Sequence, residues 1–458
     1  MVHGEMSDTI RRQRQFFSTH RTKDVGYRLD ALKTLRRAIL QYEKRISEAL
    51  YADLRKSEFE SYMTEIGIVL EELRRHIRNV KKWSRPKRAR TKLYNYFASC
   101  YQYPEPYGVV LIMAPWNYPF QLLINPLIGA LSAGNCVVLK PAEYSRNTSR
   151  VIAEMIAAFF APDHISIFTG GREINEALLQ ERYDYIFFTG SPALGKAIME
   201  RAAKNLTPVT LELGGKSPCI VHGDADIDLA ARRIVWGKFL NAGQVCIAPD
   251  YVLVHKDAKV ALLEGMKGRI EQCFGTDARQ SADYPRIIND RQLDRLSRYL
   301  ESGTIYYGGA TEKAQKYIAP TILTDIAADD PVMEEEIFGP ILPVMEYERL
   351  QEVIEFVIAR PKPLALYLFS RDKGIQREII EQVSFGGGCI NETIMQITNA
   401  SLPFGGVGNS GMGAYHGKST FDTFTHYKSI VNKGRMIDTS LRYPPYQGKM
   451  GILRRIIG

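Results

Sequence analysis

The six cysteines, at positions 100, 136, 219, 246, 273 and 389, form no CxxC pair. That excludes a zinc knuckle and a disulfide framework, and it points to a reducing compartment. No metal site is expected. No GxGxxG follows the first apolar strand, so the usual dinucleotide fingerprint is missing. Between Pro106 and Leu139 there is no charged residue. The run is long enough to raise a membrane span, but Pro115, Pro119 and Pro126 interrupt it, as do Asn117, Gln121, Asn125 and Asn135. It reads instead as strand, loop, buried helix and strand. There is no internal repeat and no low-complexity linker. MVHGEMSDTI is polar and runs into RRQRQ, so no secretory leader is expected.

What is present is a 458-residue chain, 45% hydrophobic, with 36 glycines. That is too long for one ordinary domain, and two or three are expected. The net charge of +9 is unevenly placed. Residues 1–100 hold 23 Lys/Arg against 12 Asp/Glu, and the remainder 37 against 39. KKWSRPKRARTK (81–92) alone carries seven basic residues. An anion, nucleic-acid or membrane surface is one reading. A solvated edge segment is the other, since Lys and Arg also blunt exposed strands. No aromatic-rich RNA motif or helix-turn-helix pattern accompanies the run, which favours the edge segment and no nucleic-acid partner.

Residues 7–82 carry apolar positions at helical spacing, as in RLDALKTLRRAILQYEKRISEAL. From Gly108 the pattern alternates. GVVLIM, CVVLK, ISIFTG and YDYIFFTG read as strands, separated by helical stretches. Such alternation predicts βαβ crossovers and a parallel sheet, and the continuous apolar strands predict cover on both faces. A second alternation runs from Val209 to about Pro403, which predicts a second α/β domain. The last sixty or so residues, rich in Gly, Thr and Tyr, read as loops and edge strands.

Several stretches can carry chemistry. TGSPALG (Thr189–Gly195) follows an apolar strand and opens a helix, where backbone N–H groups can hold a pyrophosphate; an ordinary strand-to-helix turn is equally compatible. In VVLKPAEYS, Lys140 ends a strand and, with Glu143, can bind ribose hydroxyls, or be a surface pair near a helix cap. Asn117, in APWNYPF, can donate its amide to an oxyanion, or satisfy its own turn. Glu212, at the end of an apolar strand in TLELGGKSPC, has a route to a raised pKa that suits a general base; a salt bridge to Lys216 is the alternative. In MEEEIFGPILP, Glu336 can take ribose hydroxyls and Phe338 can pack a flat ring, or the run is a solvated face. Cys246 in GQVCIAPDY has no protease-like signature around it, and taken alone it reads as a buried apolar residue.

Taken together, PWNYPF, KPAE, FTGS followed by GK, LELGGKSP, GQVCIAPDY, EEIFGP and LPFGGVGNSGMG resemble the aldehyde dehydrogenase superfamily in order and approximate spacing. TPVTLELGGKSP and PFGGVGNSGMGAYHGKSTFDTFTH are most similar to its shorter, class-3-like branch, whose members handle fatty or aromatic aldehydes. The resemblance implies an α/β aldehyde dehydrogenase-like fold with two parallel-sheet α/β domains and a small β-rich bridging element used for oligomerisation. It places a dinucleotide-binding domain at 1–82 and 103–211, a catalytic domain at 212–398, and the bridging element at 83–102 and 399–458. It implies Cys246 as nucleophile, Glu212 as general base and Asn117 as oxyanion donor beside the Cys246 N–H. Lys140 and Glu143 are then expected at the adenosine ribose. Gly190, Ser191 and Gly195 are expected near the phosphates, Glu336 at the nicotinamide ribose and Phe338 beside the ring. Tyr62, Tyr118, Met395 and Ile397 are placed at the substrate pocket from position alone.

The implied reaction is NAD(P)-dependent oxidation of medium- or long-chain aliphatic or aromatic aldehydes to acids, through a cysteine thiohemiacetal and thioester. The carboxylate of Glu143 should repel a 2′-phosphate, which favours NAD, with NADP also possible. What lowers the thiol pKa is open between a helix N-terminus and the nicotinamide cation. A homodimer is expected. The chain lacks the long apolar C-terminal anchor of some branch members, so it reads as cytoplasmic, and its basic tail ILRRIIG allows at most weak peripheral membrane contact. Rival readings are a coenzyme A-acylating dehydrogenase and a catalytically retired structural relative.

Overall fold

The computed structural model describes residues 2–91, 98–435 and 438–457. Part of the basic stretch, Lys92, therefore lies outside the described residues, as do 93–97 of the expected bridging element. Helices α1 (Val2–Ser18), α2 (Val25–Leu54) and α3 (Gly67–Trp83) make up most of the N-terminal segment. Strands β1 (Lys87–Ala89) and β2 (Ala98–Pro106) follow. Next come β3 (Val109–Met113), α4 (Gln121–Ala133), β4 (Cys136–Lys140), α5 (Arg146–Phe159), β5 (Ile165–Ile167) and α6 (Arg172–Leu178). Strand β6 (Tyr185–Gly190), helix α7 (Pro192–Ala203) and strand β7 (Val209–Leu213) complete the first alternation.

The second alternation has β8 (Pro218–Val221), α8 (Ile227–Phe239), β9 (Tyr251–His255) and α9 (Lys259–Phe274). After it come β10 (Thr304–Tyr307), a small ribbon of β11 (Thr311–Glu312) with β12 (Tyr317–Ile318), β13 (Thr321–Thr324) and β14 (Ile341–Tyr347). Strands β15 (Ala365–Phe369) and β16 (Gly387–Ile390), then β17 (Gly411–Met412) and β18 (Thr425–Lys433), close the series.

Two sheets result. The first has the order β17-β7-β6-β3-β4-β5, parallel except for β17, which runs antiparallel to β7. The second has the order β10-β13-β14-β9-β8-β15-β16, parallel except for β10. Strands β3 and β4 are buried at every residue, as continuous apolar strands covered on both faces must be. A third, antiparallel sheet joins β1, β2 and β18, with β2 and β18 paired along nine residues from Ala98↔Lys433 to Pro106↔Thr425. This is an α/β fold of two mostly parallel sheets with a small β-rich element.

The uncharged run between Pro106 and Leu139 forms β3, a loop, α4 and β4. All thirteen residues of α4 are buried. Pro126 inside it removes one helical hydrogen bond, at a cost of about 3 kcal/mol. Six large aliphatic side chains of the same helix, from Leu122 to Leu131, each contribute roughly 1.5–3 kcal/mol by burial, so the helix survives. Gly129 allows the close approach of Thr420, whose Cγ2 would lie 2.3 Å from a Cβ there. Among the described residues, no helix is long and apolar enough to cross a membrane. The C-terminal region departs from the expectation of loops and edge strands: Lys418–Thr423 and Met450–Ile457 are helices.

Candidate active site

The first sheet sets the frame. From β3 the chain moves outward through β4 and β5 on one side, and through β6 and β7 on the other. The crevice of such a sheet lies at the carboxyl ends of the strands flanking that reversal. Asn117 follows β3, Gly190 ends β6, Lys140 ends β4, and Glu212 sits one residue from the end of β7. Four of the singled-out residues thus share one edge of the sheet.

Cys246 is delivered to that edge by a strained turn. Helix α8 stops at Phe239, and Asn241 (φ 50°, ψ 33°) and Ala242 (φ 51°, ψ 37°) take left-handed conformations before Gly243 (φ 74°). Each non-glycine residue there costs about 1–2 kcal/mol. A Cβ at Gly243 would stand 2.2 Å from the Gly339 carbonyl oxygen, so only glycine fits. The turn is held by side-chain amides. Asn241 Nδ2 donates to the Asn117 carbonyl at 2.9 Å and to the Gln244 carbonyl at 3.2 Å. Gln244 Nε2 donates to the carbonyls of Asn241 and Arg286, both at 3.0 Å, while its Oε1 accepts the Ile288 N–H at 3.1 Å. Tyr367 donates to the Ile247 carbonyl at 2.6 Å.

Asn117 is 1% exposed and donates Nδ2 to the Gln244 carbonyl at 3.0 Å, which fixes its amide against the loop that carries Cys246. Behind it lie residues that sequence reasoning left inside a helical segment. Lys56, fully buried, donates Nζ to Glu65 at 2.6 Å and to the Asn117 carbonyl at 3.3 Å. Glu65 accepts the N–H groups of Phe120 (2.9 Å) and Gln121 (3.2 Å) at the start of α4. Glu60 accepts the Asn241 N–H at 2.9 Å. Lys56 reaches inward because α2 ends at Arg55 in a left-handed cap, and Ser57 then caps the short helix Glu58–Ser61. A π-turn over Tyr62–Ile66 follows, a widening often found at functional sites.

The other side of Cys246 is different. Glu212 is 2% exposed, and neither carboxylate oxygen has a partner. Burial pushes it well above the usual carboxylate range. Lys216, the alternative partner, is committed elsewhere: Nζ donates to Asp250 at 2.6 Å and to the carbonyls of Val332 and Glu335, both at 2.9 Å. Asp250 in turn accepts the Ile337 N–H at 2.9 Å, which fixes the segment carrying Glu336 and Phe338. Glu336 lies against Gly214, where a Cβ would fall 1.8 Å from its Oε2, and its Oε1 has no partner. Burial pushes Glu336 up as well. The Cys246 thiol is raised by burial first and by Glu336 and Glu212 next, against the pull of the Cys246 and Ile247 N–H groups. Cys246 sits in a loop, and no helix begins at it.

Lys140 is buried, donates to the Pro141 carbonyl at 2.7 Å, and is lowered to about 8 by burial against the pull of Glu143. Glu143 is exposed and its carboxylate rests on Gly171, 2.5 Å from where a Cβ would stand. Ser191 caps α7 and accepts the Leu194 N–H at 3.4 Å, and Gly195 lets α7 pack on Leu213 of β7. Phe338 (φ 53°) meets Trp116 edge-on at 5.3 Å. Tyr118 is buried with Lys56 Nζ 4.2 Å above its ring. Tyr62 and Met395 are exposed, and Ile397 packs partly buried against the core. Among the described residues no group of three His, Cys, Asp or Glu side chains can hold a metal.

The aldehyde dehydrogenase family model matches residues 4–430. The chain is 47% identical over 441 residues to the 4,4'-diaponeurosporen-aldehyde dehydrogenase of Staphylococcus aureus, covering 96% of each protein. It is 44% identical to the dimeric NADP-preferring aldehyde dehydrogenase of Canis lupus familiaris, over 98% of this chain and 99% of that one. A solved structure of the substrate-bound state of Staphylococcus aureus AldH superposes with a TM-score of 0.97 at 45% identity, covering 99% of both chains. The chain belongs to the aldehyde dehydrogenase family, and its activity is the oxidation of aldehydes to carboxylic acids with NAD(P) as hydride acceptor.

Proposed function

We propose that Cys246 is the nucleophile, that Asn117 and the Cys246 N–H hold the oxyanion, and that Glu212 is the base for hydrolysis. The observation that supports this most is an amide donor fixed against the loop that carries Cys246, together with an unpartnered buried carboxyl whose charge acts on the Cys246 thiol. Once the thiol proton has left to solvent, Cys246 Sγ adds to the aldehyde carbonyl, and the new oxyanion meets the preorganised amide. The dinucleotide, when bound, supplies the hydride acceptor and a cationic ring. Lys140 and Glu143 would hold its adenosine ribose, Gly190, Ser191 and Gly195 its phosphates, and Glu336 its nicotinamide ribose with Phe338 beside the ring. The orphaned Glu336 Oε1 and the approach to Gly214 fit a hydroxyl-bearing ligand. The acyl group stays on sulfur as a thioester. Glu212 then takes a proton from water, the hydroxide attacks the thioester, and the acid departs as Cys246 recovers its sulfur.

The preferred substrate in this reading is a medium- or long-chain aliphatic or an aromatic aldehyde, with Tyr62, Tyr118, Met395 and Ile397 toward the pocket. The exposed Glu143 carboxylate favours NAD over NADP by repelling a 2′-phosphate. The domain division at 1–82 with 103–211, 212–398, and 83–102 with 399–458 belongs to the same reading. So does a homodimer, supported by the name of the dog enzyme and by the outer edge of β18, which has no strand partner among the described residues. The cysteines are all free, which supports a cytoplasmic site. Exposed Met450, Ile452 and Leu453 beside Arg454 and Arg455 limit membrane contact to a weak peripheral one. The test is reduced-nicotinamide formation with aldehydes of increasing chain length and benzaldehyde, using NAD and NADP in parallel, with products analysed with and without coenzyme A. Cys246→Ser is expected to lose at least about 10³-fold in turnover. Full activity in that variant would sink the assignment.

A further inference from the structure

We infer that Glu60, backed by Lys56 and Glu65, is a positioning residue for the reaction, holding the nucleophile turn and the oxyanion-donor loop in one frame. The inference rests on the proposed roles of Cys246 and Asn117. Two loops from distant parts of the chain must keep register here: one carries Asn117, the other Asn241 to Cys246. Their junction is the Asn117 carbonyl, which accepts Lys56 Nζ at 3.3 Å and Asn241 Nδ2 at 2.9 Å. Lys56 and Glu65 bracket the first loop, Lys56 on its carbonyl and Glu65 on the N–H groups that end it. Glu60 holds the second loop by the backbone N–H of Asn241, the first left-handed residue of the turn.

Two consecutive non-glycine residues in left-handed conformation persist only where their surroundings over-determine them. The Asn241 N–H points away from the helix that precedes it, and Glu60 is the acceptor it finds. Glu60 touches the turn through the Asn241 N–H, and it acts through that residue. The burial of Lys56 (0%), Glu60 (7%) and Glu65 (0%) excludes a solvated-face role for this charged group. Buried polar groups are retained where they are paired, and here Glu60 and Glu65 accept backbone N–H groups of the two loops next to Cys246. A misplacement of about 1 Å in a reacting group costs on the order of 10²-fold in rate.

The experiment compares Glu60→Leu, Glu60→Gln and Glu60→Asp with the exposed control Glu58→Gln in the full chain. Turnover is normalised to active sites titrated by the reduced-nicotinamide burst, and alkylation of Cys246 by iodoacetamide is followed separately. Glu60→Leu is expected to lower kcat about 10- to 100-fold and to slow alkylation, with KM for aldehyde and dinucleotide within about twofold. Glu60→Gln keeps an acceptor for the Asn241 N–H and is expected to recover most of the rate. If Glu60→Leu fails to fold, Glu60→Asp carries the test: it keeps a carboxyl, withdraws it by one methylene, and should lower kcat severalfold without moving KM. A folded Glu60→Leu, or failing that Glu60→Asp, with unchanged kcat and alkylation rate would overturn the inference. Cys246→Ser, run alongside, separates this outcome from failure of the underlying assignment, because that failure appears as turnover without Cys246.

Discussion

Two sets of buried polar groups near Cys246 differ in how far their hydrogen bonds are filled. On the Asn117 side, Lys56, Glu60, Glu65, Asn241 and Gln244 are all hydrogen-bonded, mostly to backbone groups of the two loops. On the Glu212 side, both oxygens of Glu212, Oε1 of Glu336 and Nζ of the fully buried Lys238 have no partner. The first region spends most of its polar groups on geometry, leaving Asn117 Oδ1 and Asn241 Oδ1 without partners and Glu60 pushed up to about 7 by burial. The second keeps groups without partners, and burial pushes both carboxyls up and Lys238 down to about 8. The difference teaches which residues hold the site and which are poised to react: an unpartnered buried carboxyl is disfavoured as an anion and ready to exchange a proton.

The comparison can be broken by substitution. Lys56→Met leaves Glu65 buried without its cation, and should destabilise the fold by about 3–5 kcal/mol. Urea unfolding of the two proteins at the same pH measures this, and an unchanged midpoint would place Lys56 outside the framework. Asn117→Ala should cost about 10²–10³-fold in kcat with a far smaller change in melting temperature, since in the proposed role it removes one donor to the oxyanion. Steady-state kinetics beside a thermal melt separates the two effects.

Away from Cys246, Glu72 extends the hydrogen-bonded framework to the C-terminal part. Burial raises its pKa, but the His76 bond, the charges of His76 and His416 and the Gly417 N–H outweigh that and bring it to about 2, below the ordinary 4.5. A depressed carboxylate stabilises the fold above its unfolded pKa. That contribution, roughly 3 kcal/mol, should be present above about pH 4.5 and lost as pH falls toward about 2. Acid unfolding of Glu72→Gln against the parent reads this, and the variant should show a flatter acid limb. The smallest effect belongs to Glu212: Glu212→Gln should change stability by no more than about 1 kcal/mol, because neither oxygen of the carboxyl it replaces has a hydrogen-bond partner to lose. A loss as large as that of Lys56→Met would erase the distinction between the two regions.

Much of this was legible in the sequence. Continuous β-branched runs predict covered parallel strands, and the proline-interrupted uncharged run reads as strand, loop, helix and strand, which is what Val109–Lys140 forms. The residues Asn117, Lys140, Gly190 and Glu212 fall at strand ends because ligand sites of open sheets lie there. The choice for Glu212 between a base and a Lys216 ion pair was not legible, since it depends on Asp250, thirty-odd residues on, drawing Lys216 away. The Lys56, Glu60 and Glu65 framework was invisible because charged residues at helical spacing look like a solvated face. Only the left-handed cap at Arg55 and the π-turn at Tyr62–Ile66 turn them inward. Likewise the helix Met450–Ile457 carries no capping signal that marks it apart from a loop.

The most direct test is a single-turnover experiment on Glu212→Gln with aldehyde and NAD. The account predicts a burst of reduced nicotinamide near one per active site, little further turnover, and an acyl adduct on the Cys246 peptide by mass spectrometry. Sustained turnover in that variant, or an adduct on any other residue, would contradict it.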